Sequence, residues 1–283
     1  MPEMENNPVS LIKRDFIKNL LAEGKREDGR AFDAYRDVEL ITDYVPRANG
    51  SAYVRLGNTK VIAGVKVQVE TPYPDTPDRG NLMTSAEMCI MASPFFEAGP
   101  PRIEGIELAR VTDRSIRESG IIKLAELCIE PGAKVWQVFV DLEILDYDGN
   151  LFDACSIAAL AAVLSAELPP VCPKTGYVAF EDGKPRPMPL DLDNATFSTT
   201  FVKIGEHTLV DPTLYEELIA DSRITVGVDP KGHLRAAQKG GFGSLTVQEA
   251  KDLRKQAAKL GGQIFKQIQQ ATKKARATAK AKA

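Results

Sequence analysis

VWQVFVDLEILDYDGNLFDACSIAALAAVLSAEL, residues 135–168, decides the fold. Its first part alternates, with Trp136, Val138, Val140, Leu142 and Ile144 on one face of an extended strand and Gln137, Asp141 and Glu143 on the other. That predicts a half-buried strand. Tyr147, Asp148, Gly149 and Asn150 then supply turn chemistry, because Gly and Asn tolerate the positive φ of a tight reversal. Over 152–168 the chain is apolar nearly all round, broken by Asp153, Ser156, Ser165 and Glu167, and Pro169 and Pro170 stop it. A buried helix therefore follows the strand and the Gly turn. Its N-terminus offers unpaired N–H groups, a common place to hold a phosphate, so the residues of the turn decide the function.

At 283 residues the chain is long enough for two ordinary domains. A formal net charge of -3 leaves any nucleic-acid binding to a local patch. Cys89, Cys128, Cys155 and Cys172 lie far apart, mostly among apolar residues and without a C-x-x-C pair, and read as reduced core residues. His207 and His233 give zinc or His-based catalysis little to work with, so no metal or other cofactor is expected. The longest apolar run, 157–164, is too short to cross a membrane, and the N-terminus has no apolar signal region. A cytoplasmic protein is expected.

Ser10 predicts an N-cap for a helix over 11–23, with Ile12, Phe16, Ile17, Leu20 and Leu21 on one side and Gly24 at its end. Residues 1–24 thus read as a helical arm laid on the body. The charged turn Arg26-Glu27-Asp28-Gly29-Arg30 precedes a meander of strands over 38–42, 50–56 and 59–69, a Pro- and Asp-rich loop over 71–80, and a short strand over 82–92. Over 106–119 the period becomes helical, with Leu108, Val111, Ser115 and Ile116 facing inward. Arg110, Arg114 and Arg117, at i, i+4 and i+7, form one stripe on its other side. From spacing alone the stripe reads as a solvated face on which Arg114 pairs with Glu118 and Asp113 with Arg117.

A Pro-rich run at 169–173, a hairpin-like segment over 177–180 and the stretch 182–189 mark the domain linker. Strands over 197–204 and 208–210 lead to Asp211-Pro212, read as an N-cap with Pro at the first helical position of a helix over 213–220. A hairpin of 224–228 with 233–238 follows. Thr246 and Glu249 then form a capping box for a helix whose Val247, Ala250, Leu253, Ala257, Leu260, Ile264 and Ile268 keep helical spacing. The expected division is an N-terminal domain over 25–170, a C-terminal domain over 190–270 and a frayed, disordered basic tail over 271–283.

Taken together these motifs resemble the RNase PH family. The resemblance rests on R-x-D-G-R at 26–30, GSAYVRLGNTKVIAGV at 50–65, DRGNLMTSAEM at 78–88, the arginine helix and the strand-DG-helix unit, in order over residues 25–260. The long arm, DYDGNLFDAC at 146–155 and LVDPTLYEE at 209–217 are most similar to the non-catalytic ring subunit of the archaeal exosome. The resemblance implies an RNase PH-like two-domain α/β (α+β) fold of mixed β-sheets packed with helices. It also implies a hexameric ring of three heterodimers with a catalytic RNase PH-like partner, and a cap of S1 or KH RNA-binding proteins.

Active members of this family degrade RNA from its 3′ end by phosphorolysis, so a site must neutralise inorganic phosphate beside the scissile group. They use a G-G/S-S/T-R loop after the central strand, whose small residues let backbone N–H groups approach and whose Arg supplies charge. The corresponding residues here are Gly149-Asn150-Leu151-Phe152, with Leu and Phe in place of the hydroxyl and the guanidinium. The family's carboxylates, from a D-L-x-Y-E-E-D pattern, correspond to Asp211 and Glu217, and Asp211 also has a sufficient structural role as a helix cap. On the arginine helix the family's RNA contacts carry over to Arg110 and Arg114, and less directly to Arg117. The expected protein is a non-catalytic, RNA-contacting ring subunit that helps structure its partner's active site. The alternatives are a phosphate-dependent exoribonuclease or nucleotidyltransferase working through Asp211 and Glu217, and a purely structural scaffold.

Overall fold

The computed structural model describes residues 8–172, 175, 178 and 183–282. The alternating stretch is strand β6, Lys134–Asp146, in which Trp136, Val138, Val140, Leu142 and Ile144 are buried while Gln137, Asp141 and Glu143 are only half-buried. It is the hub of a mixed sheet with β1 (Val38–Thr42), β2 (Gly50–Leu56), β3 (Thr59–Glu70), β4 (Asn81–Met88) and β5 (Cys128–Glu130). The order is β1-β2-β3-β6-β4, with β5 paired to the other end of β6. The expected meander forms the antiparallel part, and β4 joins β6 in parallel. A second, antiparallel sheet has the order β10-β9-β11-β12, from β9 (Phe197–Ile204), β10 (His207–Val210), β11 (Ser222–Val228) and β12 (Leu234–Gly240). Short strands β7 (Glu167–Leu168) and β8 (Arg186–Pro187) pair beside them.

The helices are α1 (Pro8–Ala22), α2 (Ile103–Arg117), α3 (Leu151–Ser165), α4 (Leu214–Leu218) and α5 (Val247–Lys282). Every residue of α3 is buried, because the helix lies between β2 and β3 of one sheet and β9 of the other. Each of its large side chains, such as Ile157 and Leu160, stabilises the fold by about 1.5–3 kcal/mol relative to exposure. Its many alanines let strands approach closely. At Gly50 a Cβ would stand 2.4 Å from the Ala162 carbonyl oxygen, so no side chain fits there. The core of the first sheet and α3 takes in Phe197 of β9 and Ile264 and Ile268 of α5, while the rest of the second sheet packs in two further clusters, around Val202 and Leu209 and around Phe201 and Val226.

Four local expectations change. Helix α1 is described from Pro8, so Ser10 lies inside it, and of the expected stripe Ile17 and Leu21 are fully buried, packing on Val202, Ile204, Leu209 and Ile219. Ile12 and Phe16 stay exposed because a helix lying along a sheet edge buries one narrow stripe. The strand expected over 82–92 stops at Met88 and gives way to a 3-10 turn, Ile90–Ala92. Of the cysteines only Cys155 is fully buried, and all are free thiols. The tail expected to be disordered from Ala271 continues α5 to Lys282, since Ala, Lys, Gln and Arg are strong helix formers that need no packed face. The hairpin expected at 177–180 lies outside the described residues, apart from Val178, which bridges to Val171. The capping box holds, with Thr246 N–H donating to Glu249 at 2.6 Å and Glu249 N–H to Thr246 Oγ1 at 3.1 Å.

Candidate functional site

The turn between β6 and α3 is where the two halves of the chain meet. Gly149 has φ +87°, and a Cβ there would stand 2.5 Å from Leu214 N, so the segment leading into α4 lies directly on the turn. Asn150 follows in the left-handed region at φ 55°, a conformation Asn tolerates, and its side chain caps α3 by accepting from Asp153 N–H. The Asn150 N–H, one of the unpaired donors expected to bind an anion, donates instead to Glu217 Oε2 at 2.9 Å. Tyr147 Oη also donates to this carboxylate, at 3.4 Å, and Arg223 Nη1 stands 3.9 Å from its other oxygen. The Arg223 guanidinium lies 4.1 Å over the Phe152 ring and donates to Glu107 at 2.7 Å. A guanidinium is therefore near the turn after all, but two carboxylates of the chain already take its charge.

Asp211, fully buried, does not cap a helix. It sits at φ 49°, while α4 starts at Leu214 with Thr213 as its cap, whose N–H donates to Glu216 at 2.9 Å. The Asp-Pro pair comes two residues too early to serve as cap and first helical position. The Asp211 carboxylate instead accepts from Arg36 Nη2 at 2.8 Å, Arg30 Nη1 at 2.9 Å and Asn150 Nδ2 at 2.7 Å. Burial pushes its pKa up, but the Arg36 hydrogen bonds and charge, with the Asn150 amide, outweigh that and hold it below the ordinary carboxylate value. A carboxyl held ionised is a poor proton donor at neutral pH.

Asp153, also buried, behaves oppositely. Burial raises its pKa from 3.8 to about 7, against the pull of hydrogen bonds from Tyr35, Asn150 and Thr200. With the folded pKa above the unfolded one, the folded chain keeps a proton between roughly pH 4 and pH 7 that the unfolded chain has released. This stabilisation is full below pH 4 and fades as pH rises to about 7, at up to about 1.4 kcal/mol per pH unit. Asp153→Asn is expected to remove that slope, because an amide does not titrate, and to keep the fold, because Thr200 Oγ1 can accept from the new amide while donating to Thr225, 2.9 Å away. Urea midpoints at pH 5, 6, 7 and 8 check this, and equal slopes in both proteins would show that Asp153 is ionised throughout.

Helix α2 turns Leu108, Val111, Ser115 and Ile116 into the core, as expected. Its arginines do not act as one stripe. Arg117 is held by Asp113 through hydrogen bonds at 2.9 Å and reaches the Leu82 carbonyl, so its charge is taken within the fold. The expected pair of Arg114 with Glu118 does not form; Arg114 Nη2 donates across to Gln238 of β12 at 2.7 Å. Arg110 is exposed and, among the described residues, makes no side-chain hydrogen bond or ion pair. Asp211 and Glu217, the possible catalytic groups of the sequence, both meet Asn150 in the structure. Arg30, Arg36 and Arg223 join them without any such expectation, because their partners lie far away along the chain; only R-x-D-G-R marks the first. Among the described residues no group of His, Cys, Asp and Glu could hold a metal ion, and no helix is long and apolar enough to cross a membrane.

The chain belongs to the 3′ exoribonuclease (RNase PH) family, matching its domain 1 over residues 34–169 and its domain 2 over 194–259. Among its relatives is the exosome complex component Rrp42 of Thermococcus gammatolerans, 49% identical over 240 residues, which are 84% of this chain and 87% of the relative. The protein of the same name from Thermococcus kodakarensis is 44% identical over 277 residues, covering 97% of this chain and all of the other. A chain of the Archaeoglobus fulgidus exosome with RNA bound to the active site superposes with a TM-score of 0.85 at 40% identity, covering 92% of this chain and 99% of that one.

Proposed function

We propose that this chain is a non-catalytic subunit of an exosome, contributing RNA-backbone contacts to a complex that degrades RNA from the 3′ end by phosphorolysis. Its partner in this reading is a catalytic RNase PH-like subunit; three such heterodimers close a hexameric ring capped by S1 or KH proteins, in the cytoplasm. The relatives' names support the exosome, and one observation carries the loss of catalysis: Glu217 occupies the anion-binding N–H of the central turn. Phosphorolysis needs an oxygen of inorganic phosphate to attack the terminal phosphodiester while the 3′ oxygen leaves, with both anions neutralised together. Here a phosphate would meet a nearly buried carboxylate, a Phe152 ring and an arginine already paired, while Asp211 is saturated with donors. The helix arginines supply a different service. Arg110 and Arg114 project exposed charge that can neutralise phosphates irrespective of base.

The pure chain, given a 3′-tailed RNA and inorganic phosphate, is expected to release no nucleoside diphosphate above a mock preparation, whereas mixing in the catalytic partner gives activity. Release by the pure chain would show that the pocket works despite Glu217 and Phe152.

A further inference from the structure

Arg114 and Arg117 are one turn apart on α2, yet they are held in chemically different ways. Arg117 is gripped by a carboxylate, Asp113, which cancels its charge. Arg114 is gripped by a neutral amide, Gln238 Oε1, at 2.7 Å. The amide cannot face the other way. Its Nε2 donates to Glu107 Oε1 at 3.1 Å, so a flipped amide would set N–H groups against the guanidinium and an oxygen against the carboxylate. Glu107 itself is neutralised by Arg223, whose Nη2 donates to the same oxygen at 2.7 Å. The clip therefore runs from β12 and β11 in the second sheet to the helix packed on the first. It ends in a guanidinium whose direction is fixed and whose charge is whole.

We infer that Gln238 is a positioning residue for RNA contact, a neutral holder that aims Arg114 at the RNA backbone without neutralising it, with Glu107 and Arg223 setting the direction of the amide. This rests on the proposal that Arg114 contacts RNA. Pre-orienting a long side chain lowers the ordering cost of binding, and an amide does so where a carboxylate would cancel the attraction. It also explains why Arg114, unlike Arg117, remains usable charge.

The test is RNA binding by the reconstituted ring over a salt series, with assembly checked by sizing, for Gln238→Ala, Gln238→Glu, Arg114→Gln and each Gln238 change combined with Arg114→Gln. Gln238→Ala is expected to weaken binding about two- to tenfold, the worth of one net hydrogen bond, with the salt slope kept because the charge remains. Gln238→Glu is nearly isosteric but should weaken binding and flatten the slope of log K against log salt by roughly 0.7, as Arg114→Gln does, because one guanidinium no longer displaces counterions from a single strand. In the Arg114→Gln background both Gln238 changes should be silent. A merely structural role for Gln238 would leave the slope alone and persist in that background. If Arg114→Gln weakens binding while both Gln238 variants bind as wild type, the positioning role is overturned and the RNA contact stands. If Arg114→Gln itself binds as wild type, the RNA contact is overturned and the positioning role with it.

Discussion

Replacing Arg26 by methionine is expected to cost the folded chain about 3–5 kcal/mol, a large part of the roughly 5–15 kcal/mol that typically holds a domain together. The Arg26 side chain is 0% accessible and its partner Glu216 1%. Their hydrogen bonds are 2.9 Å from Nε and 2.6 Å from Nη2, and two further N–H groups reach the carbonyls of Val210 and Asp211, both at 2.9 Å. Methionine fills much of the space but leaves a carboxylate and two carbonyl oxygens buried without these donors. The cost comes from that stranded charge rather than from an unusually strong pair. Combining Arg26→Met with Glu216→Gln should therefore recover most of the loss, since an amide can still accept from Thr213 N–H. Urea unfolding at one fixed protein concentration measures both variants. A loss below about 1 kcal/mol for Arg26→Met would mean the pair behaves as an exposed one.

Features that repeat locally are legible in the sequence. The period of two over β6, the unbroken apolar character of α3 and the Thr246–Glu249 box each lie within one element, so their physics is visible in a short window. The identity of Leu151 and Phe152 likewise tells against a phosphate loop. The partners of charges are not legible in this way. Asp211 looks like a helix cap because an Asp-Pro pair usually is one, yet its ligands Arg36 and Arg30 lie 175 and 181 residues away. Placing Arg117 on the same stripe as Arg110 and Arg114 follows from helical geometry alone. Whether a neighbour cancels each charge depends on Asp113, one turn away, and on Gln238, 124 residues away. Glu217 shows the same limit: its spacing fits the family's acidic motif, but only the packing of α4 against the Gly149 turn reveals that it accepts from the Asn150 N–H. The helical tail escapes a sequence reading for a different reason, because a segment without an apolar pattern can still be helical on propensity alone.

Changing both Arg110 and Arg114 to alanine is expected to lower the RNA affinity of the assembled complex, on the order of tenfold per guanidinium at low salt. The effect is electrostatic. Each guanidinium that displaces counterions from a single strand contributes roughly 0.7 to the salt slope, so the double substitution should flatten it by roughly 1.4. Base identity should not matter, because backbone contacts carry no sequence information. The partner's degradation rate should fall as well, although its own residues are untouched, since RNA held less firmly upstream reaches the active site less often. Stability offers the contrasting readout. Arg110 has no side-chain partner among the described residues and Arg114 has only the Gln238 amide, so the fold should lose little, about 0–1 kcal/mol. Arg117→Ala serves as the control, because it breaks the pair with Asp113 and the bond to Leu82 O while removing a charge that is already cancelled. It should perturb stability more and the salt slope less. Sizing must first show that each variant ring is intact. An intact ring lacking Arg110 and Arg114 that still binds and degrades RNA as wild type, at both low and high salt, would leave α2 as scaffold and nothing more.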